Sequence, residues 1–208
     1  FSAGYKVAPN KINKLIQFNR GTTSDLVAFA GKSVYTGGTA LTGSWTERTG
    51  ATLTNNNQVD AVVAQNLLYF CDGSTSSFQT MNTSYTIAGV AGSPPTDPKY
   101  VRLFTIGTAN YLAIAGHTSN ISRIDFSDTN DFTTWPTANR YLIGDRDGSD
   151  ISGIAQQAGN FIIFKLNNTN FKPGGIYEFS GVPGSGQIRL INSDVGCLAH
   201  QSIVSYEG

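Results

Sequence analysis

The sequence predicts an all-β fold, on the evidence of its composition and of a recurring pattern of short apolar segments. Of the 208 residues, 39% are hydrophobic and 11% are aromatic, but only 13% are charged, about half of the ~25% that is usual in soluble domains. The chain has 23 Gly but only one Met and three Glu, so residues that favour helices are scarce. This composition suits short strands joined by many turns and excludes a helical bundle.

The recurring pattern consists of four apolar segments that begin 41, 44 and 50 residues apart. The segments, each predicted to be the second strand of a four-stranded unit, are Leu26–Ala30, Leu67–Cys71, Tyr111–Ala115 and Phe161–Lys165. A turn follows each of them, with residues that tolerate positive φ and let a hairpin reverse. These turns contain Gly31-Lys32, Asp72-Gly73, Gly116-His117 and Pro173-Gly174-Gly175.

Each unit has three further predicted strands around this central one. The predicted first strands are Ile12–Phe18, Val59–Ala64, Val101–Ile106 and Ile151–Ala155. The predicted third strands are Ser33–Tyr35, Ser77–Met81, Arg123–Ser127 and Ile176–Ser180. The predicted fourth strands are Ser44–Arg48, Tyr85–Gly89, Arg140–Ile143 and Gln187–Ile191.

Four-stranded antiparallel units at this period are typical of the blades of a β-propeller. One domain over 1–208 is predicted, with blades at 9–50, 51–92, 93–148 and 149–192 and the start of a further blade at 199–208. A β-sandwich is the alternative, although it does not require the fourfold recurrence. Ser202–Tyr206 is predicted to open a fifth blade and Gly4–Ala8 to end a preceding one. We therefore expect the propeller to be incomplete in this chain and to be completed by further sequence or by another chain.

Charge and targeting signals exclude several functional classes. The 14 basic and 14 acidic residues leave no net charge, so no long-range field attracts DNA or an anionic membrane. No apolar run approaches the roughly 18 residues of a spanning helix. The first segment lacks the basic-then-apolar order of a signal peptide, and because the sequence opens on Phe1 we expect a longer precursor.

Cysteine and histidine give no sign of a disulfide or of catalysis. Cys71 and Cys197 make neither a CxxC pair nor a metal-ligand spacing with His117 or His200, so two buried free thiols are predicted. No nucleophile elbow or phosphate-binding loop is present. Both histidines are expected to be hydrogen-bonding surface residues, and no catalytic residue and no cofactor is predicted.

Two segments in the second half of the chain contain closely spaced aspartates. Ser127–Trp135 resembles a degenerate Asp-box of sialidase propellers, a structural hairpin whose carboxylates bond turn amides while Trp135 packs between strands. A sialidase also needs three converging arginines, which the seven scattered arginines do not indicate. In the second segment, Asp145, Asp147 and Asp150 are weak candidates for a metal site. The EF-hand order fails there, so a turn held by side-chain to backbone hydrogen bonds, without metal, is predicted.

A family resemblance comes from the order of several segments in the second half of the chain. These segments are 111–128, Phe132-Thr-Thr-Trp-Pro136, Ile143-Gly-Asp-Arg-Asp-Gly148, Phe161–Lys165 and Ser193-Asp-Val-Gly-Cys-Leu198. In this order they resemble propeller-type virion proteins of tailed bacteriophages, the family that includes the tail nozzle or hub (stabilisation) proteins of short-tailed phages. The resemblance covers about residues 100–204.

The resemblance implies a structural virion protein without catalytic residues. Its partners would be other tail proteins and copies of itself in a ring, with DNA as transient cargo, no membrane contact, and a location in the phage tail. The alternative is a carbohydrate-binding or glycoside-cleaving propeller on a cell or phage surface, for which paired carboxylates about 5–10 Å apart in one cleft would be diagnostic. A generic extracellular adhesin is a third possibility.

Overall fold

A computed structural model describes residues 11–38, 44–144, 147–166 and 173–204 of the chain. These ranges contain four antiparallel sheets of four strands each, in which every strand pairs with the next along the chain. The first sheet comprises β1 (Ile12–Arg20), β2 (Thr23–Ala30), β3 (Ser33–Gly37) and β4 (Thr46–Arg48). The second comprises β5 (Asp60–Ala64), β6 (Leu67–Cys71), β7 (Gln79–Met81) and β8 (Ile87–Gly89).

The third and fourth sheets repeat this arrangement. The third comprises β9 (Tyr100–Ile106), β10 (Ala109–Ala115), β11 (Arg123–Phe126) and β12 (Arg140–Leu142). The fourth comprises β13 (Asp150–Gln157), β14 (Asn160–Leu166), β15 (Pro173–Ser180) and β16 (Gln187–Asn192). Two short 3₁₀ turns, Thr137–Asn139 and His200–Ser202, complete the assigned elements of the described ranges. The prediction of an all-β fold built from four-stranded blades is confirmed, and each of the sixteen predicted strands overlaps an observed one.

The sheets stack as propeller blades, with the core lying between neighbouring blades. The first strands lie side by side in chain order, β1 next to β5, β5 next to β9 and β9 next to β13. Three buried apolar clusters fill the spaces between the first and second, second and third, and third and fourth sheets. The four first strands therefore form the inner edge of the blades.

Strand alternation explains how one blade contributes to two cores. In β6, Leu68 and Phe70 pack towards the first sheet, whereas Tyr69 and Cys71 pack towards the third. Successive side chains of a strand point to opposite faces, so a continuous apolar run predicts a strand that is covered on both sides. The apolar second strands of the four units supply these central positions.

The hairpin at 127–135 has the predicted structural role. Asp131 accepts hydrogen bonds from the backbone N–H and the hydroxyl of Thr133, at 2.9 and 2.6 Å, and from the hydroxyl of Thr134 at 2.8 Å. Trp135 packs edge-on against Phe78 of the neighbouring blade, with the ring centroids 5.9 Å apart. The carboxylate thus shapes the turn and the indole contacts the adjacent sheet.

Several expectations near the chain ends and for buried groups differ from the structure. Ser202, predicted to open a strand, lies in the 3₁₀ turn, and no strand is assigned through Val204, because Ser202 and Ile203 bond back to the carbonyls of Ala199 and His200. The rest of Ser202–Tyr206 and all of Gly4–Ala8 lie outside the described residues. Cys71 is buried as predicted, but Cys197 is only partly buried, and both thiols are free.

Candidate functional site

The central feature of the inner strands is the buried carboxylate of Asp60, which is only 1% exposed. Arg102 Nη1 lies 2.6 Å from Asp60 Oδ2, and the backbone N–H of Val101 donates to the same oxygen at 3.0 Å. Lys14 Nζ donates to Oδ1 at 3.3 Å. Asp60 begins β5, Lys14 belongs to β1, and Val101 and Arg102 belong to β9. One carboxylate thus joins the inner strands of three blades.

His200 brings the segment after the fourth blade into this cluster. Its Nε2 lies 3.1 Å from Asp60 Oδ2 and also contacts Arg102 Nη2, while its ring centroid lies 4.6 Å from that of Tyr100. The fit depends on Gly153 of β13, because a Cβ at that position would lie 3.0 Å from His200 Nδ1. The fourth blade therefore also contacts the cluster, through a glycine that leaves room for the imidazole.

Residues 199–204, here called the axial segment, connect the first and fourth blades. β1 and β13 share no ladder among the described strands. Instead, Gln201 of the axial segment donates to the backbone carbonyl of Asn13 in β1 at 3.0 Å, while His200 packs on Gly153 in β13. Both strands shift register at corresponding places, at Asn13 in β1 and at Ser152 in β13. The axial segment thus bridges the two outermost blades of the stack.

The electrostatics of the cluster fix its charge state. Burial alone would raise the pKa of Asp60, but the hydrogen bond from His200 and the charge of Arg102 outweigh it and hold the pKa well below its usual range. Burial lowers the pKa of His200, although Asp60 opposes this effect. At neutral pH Asp60 is therefore ionised and His200 is neutral, so Asp60 is poorly suited to act as a general acid.

A pocket of about 340 Å³ opens beside the cluster, here called the axial pocket. It is lined by Ile12, Asn13, Lys14, Leu15, Arg102, His200, Gln201 and Ile203. None of these lining residues is acidic, and Asp60 is the one carboxylate that the cluster just described contains. The axial pocket therefore lacks the paired carboxylates that glycoside cleavage would require.

Of the three predicted metal candidates, Asp147 and Asp150 lie within the described residues. Both carboxylate oxygens of Asp147 lie 2.8 Å from Lys165 Nζ, and Oδ1 also accepts the backbone N–H of Ser149 at 2.8 Å. Asp150 begins β13 opposite Leu166 of β14, and Asp145 lies outside the described residues. Within the described ranges no group of three or more His, Cys, Asp or Glu side chains could hold a metal ion.

The sequence pattern does not predict the Asp60 cluster, and the expectation that both histidines lie on the surface is wrong. His117 and His200 are buried rather than on the surface. The ring of His117 lies between the Thr96 carbonyl, 2.6 Å from Nδ1, and the Asp125 carboxylate, 3.2 Å from Nε2. The one local signal for the cluster is Asp60 itself, a charged residue inside the apolar segment Val59–Ala64.

Comparison with known proteins finds no family model and no curated protein that matches the chain. None of the helices in the described part of the chain is long and apolar enough to cross a membrane.

Proposed function

We propose that the chain is a non-catalytic structural subunit of a bacteriophage virion, in the tail nozzle or hub or in the head-to-tail region, where its blades help to form the DNA exit channel. We infer a virion protein because residues 100–204 resemble propeller-type virion proteins of tailed bacteriophages. The observation that carries a structural role is the uncovered outermost strand β16 of the fourth blade, which exposes apolar side chains. Copies in a ring and neighbouring tail proteins are the proposed partners.

Exposed apolar side chains occur on β16 and on the residues that follow it. The side chains concerned are about half exposed or more: Leu190 at 50%, Ile191 at 49%, Val195 at 52%, Leu198 at 79% and Val204 at 82%. β16 is also the outermost strand of its sheet, and a strand edge offers unpaired backbone groups to another chain.

The segments that carry the resemblance have structural roles in this fold. Tyr111–Ala115 lies within β10 and Phe161–Lys165 within β14, the central strands of their blades. Phe132 and Trp135 pack between the second and third sheets. At the end of β14, Lys165 Nζ binds the Asp147 carboxylate and the carbonyl of Ile143. These roles agree with a protein whose motifs serve packing and assembly rather than catalysis.

The direct test is to ask whether the protein is part of a virus particle. Tailed particles from the source of the gene are purified by density gradient, analysed by quantitative mass spectrometry and labelled with an antibody against the chain. We expect the chain in a fixed ratio to the major capsid protein, with the label at the tail. Its absence from particles whose capsid protein is readily detected would reject the proposal. Saturable glycan binding in that case would favour the carbohydrate-binding alternative.

A further inference from the structure

We propose that the axial pocket binds an oxyanion, a phosphate or carboxylate group. The inference stands independently of the virion role, because it rests on the charge and the hydrogen-bond donors of the pocket. The excess charge, the remaining N–H groups of Lys14 and the size of the pocket support it.

The cluster behind the pocket carries more positive than negative charge. Lys14 and Arg102 line the pocket and share the single carboxylate of Asp60. Because burial keeps His200 neutral near pH 7, one positive charge remains without a counter-charge in this group. The Lys14 and Arg102 side chains are 21% and 24% exposed, so the excess charge is open to a ligand while still partly screened from water.

Lys14 also supplies hydrogen-bond donors to the pocket. Asn13 is 8% exposed, and its Nδ2 has no hydrogen-bond partner. The Lys14 ammonium has three N–H groups, and the one hydrogen bond assigned to it is the 3.3 Å contact with Asp60. Lys14 therefore keeps N–H groups that can donate to an anion in the pocket, whereas the Asn13 amide nitrogen is itself enclosed.

The volume and the lining of the pocket limit the size and the chemical type of the ligand. A volume of about 340 Å³ is at the lower end of the range for small-molecule sites. Ile12, Leu15 and Ile203 add an aliphatic lining beside the charged residues. The pocket therefore has room for an oxyanion that is carried on a small organic group or on a chain.

Isothermal titration calorimetry of the whole chain with inorganic phosphate, acetate and a short single-stranded oligonucleotide tests the proposal. We expect saturable binding of at least one of the two small anions. Lys14→Gln should weaken it about tenfold, the effect of losing one charge-assisted hydrogen bond, whereas Lys14→Arg should retain it. If the oligonucleotide also binds in a Lys14-dependent way, the oxyanion can be supplied by nucleic acid; binding of the small anion alone identifies a small-molecule ligand.

Two further variants keep the test independent of folding. Leu15→Glu places a negative charge at the rim of the pocket, on a side chain that is 48% exposed, and should abolish binding even if Lys14→Gln is unstable. Arg189→Gln removes an equal charge from β16, where the side chain is 74% exposed, and should leave binding unchanged. Absence of saturable binding to either small anion, or equal weakening by Lys14→Gln and Arg189→Gln, would overturn the proposal.

Discussion

At the scale of single residues, two buried carboxylates of the blade stack are surrounded by opposite charges. Asp60 faces Arg102 and Lys14, and Asp125 faces Arg123 and Arg140 at 2.6 and 2.8 Å. Burying an unpaired charge costs several kcal/mol. Such pairs therefore add little net stability over apolar residues, but the loss of one partner is expensive.

Replacing Asp60 with Asn should reveal this cost. The neutral amide would leave Arg102 and Lys14 facing each other without a counter-charge, and we expect a loss of about 3 kcal/mol in the free energy of unfolding, as for other broken buried pairs. Urea denaturation at pH 7 measures it. Glu47→Gln, at an exposed carboxylate bonded to Ser33, is the matched control and should change little. Equal losses of unfolding free energy in both variants would show that the ion pairs of Asp60 with Lys14 and Arg102 do not stabilise the contacts between the inner strands.

The stability of the protein should also depend on pH through His200. Because burial lowers its pKa, the folded chain resists protonation in a range where the unfolded histidine, with a pKa of about 6.5, already binds a proton. The unfolded state then binds more protons, so stability falls as the pH falls below about 6.5. Asp60, whose pKa is lowered, adds a second loss below about pH 4, where its unfolded carboxyl takes up a proton.

Unfolding free energies at pH 7.5 and 5.5 separate the contribution of His200 from that of other groups. The unmodified chain should lose stability over this interval, and His200→Gln should lose less, because glutamine does not titrate. Asp60 remains ionised throughout this interval in the folded chain. Equal losses in the two proteins would mean that His200 is not the group responsible.

At the scale of elements, the blades are linked by polar groups at their ends as well as by apolar cores. Lys165 at the end of β14 is fully buried, and its ammonium donates to the carbonyl of Ile143 at 2.5 Å and to Ser122 Oγ at 3.1 Å, both in the chain of the third blade. The axial segment similarly links β13 to β1. The link at β14 depends on the charge of Lys165, and the link to β13 depends on the small size of Gly153.

Lys165→Met should break the link between the third and fourth blades. The variant leaves Asp147 and the carbonyls of Ile143 and Gly144 without the ammonium, and we expect a loss of about 3 kcal/mol in the free energy of unfolding. Lys32→Met, in the exposed turn between β2 and β3, should have little effect. A stable Lys165→Met chain would show that packing around β14 replaces the ionic contact.

Gly153→Ala should loosen the axial segment. The added Cβ would clash with Ile203 Cδ1 and approach His200 Nδ1, so we expect faster hydrogen exchange at 199–204 and a loss of about 1–3 kcal/mol in stability. Gly89→Ala is the control, because nothing lies within 4 Å of a Cβ at that position. Unchanged exchange in the axial segment would contradict the close fit of His200 against β13.

At the scale of the whole molecule, the distribution of charge and apolar surface favours association. The chain carries no net charge, so copies do not repel one another through a long-range field. β16 exposes Leu190 and Ile191 on an outermost strand. Heterologous contacts through such a surface generate rings when their rotation closes, which is the arrangement proposed for this protein.

Sedimentation velocity tests the association directly. The chain should sediment as an oligomer at micromolar concentrations, and the double variant Leu190→Lys, Ile191→Lys should sediment as the 22.2 kDa monomer, because the charges oppose burial of β16. Gln187→Lys adds a charge to the same strand at an exposed polar position and should not dissociate the oligomer. A monomeric chain at all concentrations would contradict the expected assembly.

Local sequence signals are sufficient to predict the four-stranded units of this protein. Strand position depends on local information, namely apolar runs such as Leu67–Cys71 and turn residues such as Gly31 and Gly116, which adopt positive φ of 60° and 67°. These signals place each strand within a few residues of its observed bounds. They also predicted the hairpin at 127–135, because its hydrogen bonds join residues that are close in the chain.

The charged residues that meet at the inner edge of the blades come together through the packing of the blades. Asp60 and His200 are 140 residues apart, and Lys14 lies 46 residues before Asp60. Their contact depends on how the blades stack and on where the axial segment crosses from β13 to β1, and neither leaves a local pattern. The turn expected around Asp147 likewise gained a distant partner in Lys165, because the ammonium at the end of β14 is buried against that turn and requires a carboxylate there.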